Sequence, residues 1–369
     1  MGNGFSVGPS RPINGTTDFW LQVHMRVASG RETRYRENRA EHNSNFDQSR
    51  TMNTSMIRRQ PVFSRLAFVT VLAVVGLLTR SLVAAPTPPT DEELRKITHA
   101  VPSQASVRPA QARRLLVFTK CRGYVHASIP YGAKAIELMG EKTGAFKATV
   151  SDDIAWFEPD RLREFDGVCL MSALGEFFLP DDYERLAPDL QTAAREKDSR
   201  LKASFYAWLR NGKALSAIHG GCYSFHDTPA FAELFGGAFD RHPWNADEKI
   251  AVKLDDPQHP VLAAFGGCGL EIIDEGYQFK GPYSRRVVRV LYSLDPARMD
   301  MNKPDLRPDR DFGLCWVKRH GQGRVFYSAL GHNSEEFWHP TLLRHFLDGI
   351  QFSLGDLPGD TTPLPAPAK

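Results

Sequence analysis

The sequence predicts an α/β fold: a mostly parallel sheet with helices on both faces. Three observations carry this expectation. Short apolar runs bounded by turn residues alternate with helical patterns over 113–355. The runs are nearly continuously apolar, as in strands buried on both faces. Polar, chemistry-bearing residues recur just beyond the carboxyl ends of the runs, where doubly wound sheets gather their functional groups.

The elements follow in order. "RRLLVFT" from Arg113 is a buried strand, followed by the loop "KCRGYVHA". "SIPYGAKAIELMGEKTG" is a helix, with Ser128 as N-cap, Pro130 in the first turn and Gly144 as terminator. "AFKATVS" and "FDGVCLMSA" are strands two and three. "YERLAPDLQTAAREKDSRLKASFYAWLRNG" is helical with a break at Pro188, and "KALSAIH" is strand four. Later strands are "KIAVKLD", "RVVRVLYSL", "FGLCWVKRH" and "GRVFYSALG", the last two joined by the hairpin signal "HGQG". "HPTLLRHFLDGIQFSLG" closes the domain as a helix. Residues 86–112 read as a Pro-rich linker, and 356–369 as a disordered Pro-rich tail. No internal repeat is visible, and one domain accounts for 113–355.

The net charge of +3 is unevenly distributed. Residues 1–85 hold 11 Arg, no Lys and 5 acidic residues, so the remainder is slightly acidic. That excludes a nucleic-acid footprint on the folded part. Residues 1–55 are polar and aperiodic, and are expected to be a non-native or disordered extension. Residues 56–85 have the pattern of a signal peptide: Arg58, Arg59 and Arg65, then apolar Leu66–Leu78, then Val83-Ala84-Ala85 before Pro86. Cleavage near Ala85 would export the chain to the periplasm or the medium. The apolar core is shorter than the roughly 20 residues of a spanning helix, so a stable membrane span is expected only if the signal stays uncleaved. "MGNGFS" matches a myristoylation pattern, but lipidation ahead of a signal peptide makes little chemical sense.

Five cysteines, an odd number without any CxxC, indicate neither a zinc knuckle nor a redox dithiol. Cys169 and Cys315 read as core residues. Whether Cys222 pairs with Cys268 stays open.

The candidate site residues lie at predicted strand ends. His126 follows strand one, His219 ends strand four within "ALSAIHGGCYSFH", and His332 follows the late strand. Asp274 and Glu275 stand beside Tyr277. His242 and Trp244 lie in "GGAFDRHPWN", and Trp338 precedes the closing helix. Singly, each has an ordinary reading: a structural histidine, a solvated acidic loop, a packing tryptophan. Three histidines at strand ends are less easily dismissed together.

The segments "VFTKCRGYVHASIPYGAKAI", "AIHGGCYSF", "GGAFDRHP", "DEGYQFK" and "GRVFYSALGHNSEEFWHPTLLRHFLDGI" together resemble the trehalose-utilisation (ThuA-like) family over about 113–355. The resemblance implies the class I glutamine-amidotransferase-like, flavodoxin-like three-layer sandwich. True amidotransferases read Gly-x-Cys-x-Gly at the strand-four turn. Here the register is Ala217-Ile218-His219-Gly220-Gly221, so the presented residue is His219 and an active amidotransferase is not expected. Ala217 and Gly220 depart from the family's usual Gly-Ile-His-Ala. Val125 stands where members often have Arg before His126, which removes an expected anion or hydroxyl contact.

The resemblance further implies metabolism of disaccharides, including keto-sugars. Isomerising or cleaving a keto-sugar starts by removing a proton next to a carbonyl, which needs a base and a group that holds the developing enolate oxygen. The expectation is that His219 acts as base or acid, with His126 and His332 as orienting or metal-binding groups and Glu275 as a second acid/base. Tyr277, Trp244, Asp274, His242 and Trp338 would bind the small-molecule carbohydrate. A divalent metal on two histidines and a carboxylate is an open alternative, giving a metal-dependent hydrolase. A non-catalytic carbohydrate-binding module is another, with the aromatic residues stacking on sugar faces. A homo-oligomer is also left open.

Overall fold

The computed structural model describes residues 86–365. The expected extension (1–55) and signal peptide (56–85) lie outside the described residues, as do the last four residues of the tail. No helix among the described residues is long and apolar enough to cross a membrane.

The chain runs α1 (Asp91–Ala100), β1 (Arg114–Phe118), α2 (Ile129–Thr143), β2 (Lys147–Ser151), α3 (Pro159–Leu162), β3 (Gly167–Met171), α4 (Pro188–Arg210) and β4 (Ala214–Ile218). Then follow α5 (Pro229–Phe235), β5 (Ala238–Trp244), β6 (Lys249–Leu254), β7 (Leu270–Ile273), β8 (Gly276–Lys280), β9 (Arg289–Leu294), β10 (Gly313–His320), β11 (Gly323–Ser328) and α6 (Pro340–Ser353). Nine strands form one sheet in the order β2-β1-β3-β4-β11-β10-β9-β6-β7. The first five are mutually parallel. The remaining pairs, from β11–β10 outward, are antiparallel. β5 and β8 make a separate antiparallel ribbon.

The α/β expectation holds, as does the hairpin expected between β10 and β11; the antiparallel strands beyond it were not anticipated. Strand order reverses between β1 and β3. Right-handed crossovers leaving that point in opposite directions put α2 and α4 on opposite faces. β3 and β4 are interior strands of the sheet, and every residue in them is buried, which explains their unbroken apolar runs. Gly144, in the left-handed region at φ 68°, ends α2. Pro188 starts α4 at its first turn, where its missing N–H costs nothing. Cys169 and Cys315 are fully buried, as expected.

Two segments differ from expectation. Within 86–112 lies α1, started by a capping box between Thr90 and Glu93. It buries Ile97 completely, and beyond it Ser106 Oγ donates to Asp348 of α6. The described part of the tail is also docked. Asp356 pairs with Arg113, Asp360 pairs with Arg289, and Leu357 is buried. Proline content masked both anchors.

Candidate functional site

The site forms where four chain segments leave the sheet on one edge. β4 ends at Ile218, and His219 takes φ 49° in the left-handed region. A non-glycine residue there is uncommon and marks a turn held by its surroundings. His219 is fully buried. Its Nδ1 lies 2.8 Å from the Ala329 carbonyl. A carbonyl only accepts, so Nδ1 carries the proton and Nε2 presents a lone pair. Tyr277 Oη, 2.8 Å away, donates to that lone pair.

Gly220 follows because space requires it. A Cβ there would stand 2.7 Å from His126 Cε1. His126 arrives from the β1–α2 loop with its ring centroid 4.6 Å from that of His219, and its buried Nδ1 has no hydrogen-bond partner. Ser128 occupies the N-cap position of α2 but does not cap with its side chain. Its Oγ instead donates to the Gly331 carbonyl at 2.8 Å, tying the His126 loop to the one carrying His332. The His332 ring lies 5.1 Å from His219 and 5.3 Å from His126, centroid to centroid.

Glu275 reaches the same point from the turn between β7 and β8. Its carboxylate is 3.4 Å from His332 Nε2, 3.6 Å from His219 Nε2 and 3.7 Å from His242 Nδ1. Asp274 lies behind it, fully buried, and accepts the backbone N–H groups of Glu275, Gly331 and His332. Burial raises Asp274 to about 7 and holds the neighbouring Glu336 carboxyl well above its ordinary range. These two acids brace the histidine loop from inside.

Burial lowers His126 to about 3, and the nearby His332 and His242 add to the effect. Burial likewise holds His219 well below the ordinary imidazole range. Both rings are neutral near pH 7. A sealed His219 with its lone pair already engaged by Tyr277 is poorly placed as the free base expected from sequence; it is suited to orienting a hydroxyl or donating a lone pair.

Above the cluster opens a cavity of about 430 Å³, lined by His126, Glu275, Tyr277, His242, Tyr124 and Phe239 among others. Trp244 and Trp338 do not reach it. Trp244 is buried against Phe312 and donates its indole N–H to the Asp300 carbonyl. Trp338 packs on Tyr131, with Lys96 of α1 over its ring. Asp274 is too deep to touch a ligand. Cys222 is buried one turn past His219, and its thiol is pushed up to about 12, so it offers no ready thiolate. No disulfide joins Cys222 to the exposed Cys268.

Sequence reasoning missed Tyr124 and Phe239, which wall the cavity, and Glu336. Glu336 had a readable signal: it is the third residue after Asn333, and the two form a capping box. Arg122 was also missed. It lines the cavity while paired to Glu184, on the same loop where Val125 replaces the arginine the resemblance led one to expect.

The family model described as "ThuA: Trehalose utilisation" matches residues 114–353. The chain belongs to the ThuA family. Among solved structures, this ThuA protein is similar to a ThuA-like protein from Bacteroides uniformis, at 19% identity and TM-score 0.50, covering 68% of this chain and 94% of the other. That likeness shows the fold. A ThuA-like protein from Parabacteroides merdae matches at 16% identity and TM-score 0.46, covering 68% and 93%. A glutamine amidotransferase from Thermotoga maritima matches at 11% identity and TM-score 0.35, covering 59% and 74%. No curated protein matches the sequence.

Proposed function

We propose that this ThuA-family protein is an exported enzyme of carbohydrate utilisation that processes a keto-disaccharide by histidine-based proton transfer. The observation that carries the reading is the convergence of three strand-end imidazoles on Glu275, with His126 and Glu275 lining an aromatic-walled cavity. A cavity of about 430 Å³ suits a sugar-sized ligand.

Of the titratable groups lining the cavity, His242 and Glu275 lie 3.7 Å apart. In this reading His242 takes the proton next to the sugar carbonyl, and the Glu275 carboxylate balances the imidazolium that forms. Tyr277, which lines the cavity, contacts the sugar oxygens. Tyr124 and Phe239 offer apolar faces to the ring. The buried, weakly acidic Cys222 supports a role other than glutamine amidotransfer. Export is supported by the signal-like pattern of 56–85 alone.

The test incubates the purified protein with oxidised and unoxidised disaccharides and reads products by mass spectrometry. Product from the oxidised sugar only, reduced in His242→Ala and Glu275→Gln, is the expected result. Saturable calorimetric heat without product would make the protein a carbohydrate-binding module. Neither heat nor product across the panel would remove the saccharide reading. The amino terminus of exported material should fall near Pro86.

A further inference from the structure

We infer that His126, His219, His332 and Glu275 hold one divalent transition-metal ion of the zinc class, through three imidazole nitrogens and a carboxylate oxygen. One donor atom from each residue lies within 4.8 Å of the other three. A tetrahedral set with bonds of about 2.1 Å places its donors about 3.4 Å apart. The Glu275–His332 and Glu275–His219 separations are 3.4 and 3.6 Å. Both are long for charge-assisted hydrogen bonds, which favour about 2.8 Å, and near the spacing of two donors on a common ion.

Three independent features point the same way. The Ala329 carbonyl fixes the His219 tautomer with Nδ1 protonated, the outer contact that metal-bound histidines make. His126 keeps a buried ring nitrogen without any hydrogen-bond partner, a cost that ligation would remove. Glu275 is buried, and among the described residues its ion-pair partners are histidines only, with no Lys or Arg to balance it. Asp274 holds the backbone of Glu275 and His332, so both donors sit on a braced frame.

A donor set of three nitrogens and one oxygen selects zinc or its first-row neighbours over magnesium or calcium. An ion bound here replaces the Tyr277 hydroxyl at His219 Nε2. It also faces the cavity through His126 and Glu275, within reach of a carbonyl oxygen. A second group of donors, Glu176, His226 and Asp227, lacks this character. His226 stacks on Tyr223 and is largely open to solvent together with Asp227.

The centre can be tested without any sugar. Elemental analysis of protein purified without added metal is expected to give about one equivalent of zinc or a first-row neighbour. Calorimetry of zinc chloride into chelator-stripped protein should give one saturable site. His126→Ala and His332→Ala should each weaken it by at least about 10-fold, and His226→Ala should leave it unchanged. Cobalt(II) in the same site should show the visible bands of a low-coordinate nitrogen–oxygen set. His332→Asn and circular dichroism guard against loss of fold. No bound metal together with no saturable zinc binding by folded protein would overturn the inference. So would zinc affinity insensitive to both the 126 and 332 substitutions. A metal-replete protein inert toward every sugar would leave the centre standing and remove the saccharide reading.

Discussion

Gly220→Ala should damage the site through one contact, and the structure gives its size. The added Cβ would lie 2.7 Å from His126 Cε1 and 3.2 Å from Nδ1. Comfortable carbon contacts are 3.5–4.0 Å, so the ring must retreat by roughly 1 Å. It has little room: His126 is 5% exposed and packed edge-on against His219 and His332. Overpacking of this kind costs about 1–3 kcal/mol. Gly220 is not in the left-handed region, so alanine recovers about 0.4–1 kcal/mol by restricting the unfolded chain. The net expectation is a loss of about 1–2 kcal/mol, or a fall in Tm of roughly 3–6 °C for a domain of this size. Urea unfolding of wild type, Gly220→Ala, His126→Ala and the double variant separates the causes. If the clash is responsible, alanine at 220 should be nearly harmless once His126 is truncated, with a coupling of about 1 kcal/mol or more. Additive effects within about 0.5 kcal/mol would refute the steric argument.

Three more outcomes can be measured. Burial raises Asp348 to about 6, against an ordinary aspartate value near 4. Its folded form therefore favours the protonated state, and the stability it contributes is full below about pH 4 and lost as pH rises through 6. Between pH 4 and 7, wild type should lose about 2 kcal/mol relative to Asp348→Asn in paired urea titrations; parallel curves would contradict this. Lys202 is buried between Glu176 and Asp198, so Lys202→Met strands two carboxylates and should cost about 3–5 kcal/mol in chemical denaturation. Native alkylation followed by mass spectrometry should modify exposed Cys268 rapidly and leave Cys222, Cys169 and Cys315 unmodified, and fast labelling of Cys222 would contradict its burial.

The parallel half of the sheet was legible because each strand there is a short apolar run followed by a polar turn. His126, His219 and His332 were legible for the same reason: they stand where such runs stop. The ribbon was not. β5, "AFDRHPW", mixes charge with apolar residues and contains a proline, and it pairs with β8 through register shifts. The α1 anchor was hidden by the prolines flanking it. Trp244 and Trp338 misled because residue type cannot distinguish a ring that packs from one that faces a ligand. His219 stands at the end of β4, as the pattern of its run implied, but its burial and its Tyr277 and Ala329 partners, 58 and 110 positions away, are tertiary facts that no local pattern encodes.

The division between sheet and ribbon has a practical meaning for how such a protein can diversify. The imidazoles at 126, 219 and 332 are set by loops leaving the main sheet, whereas Phe239, His242 and Tyr277 belong to the two-stranded attachment. The three-imidazole cluster and much of the cavity wall are thus carried by different pieces of backbone. Exchanging the outer piece would reshape that wall, and with it the His242 and Tyr277 contacts, while the loops that set the three imidazoles stay on the main sheet.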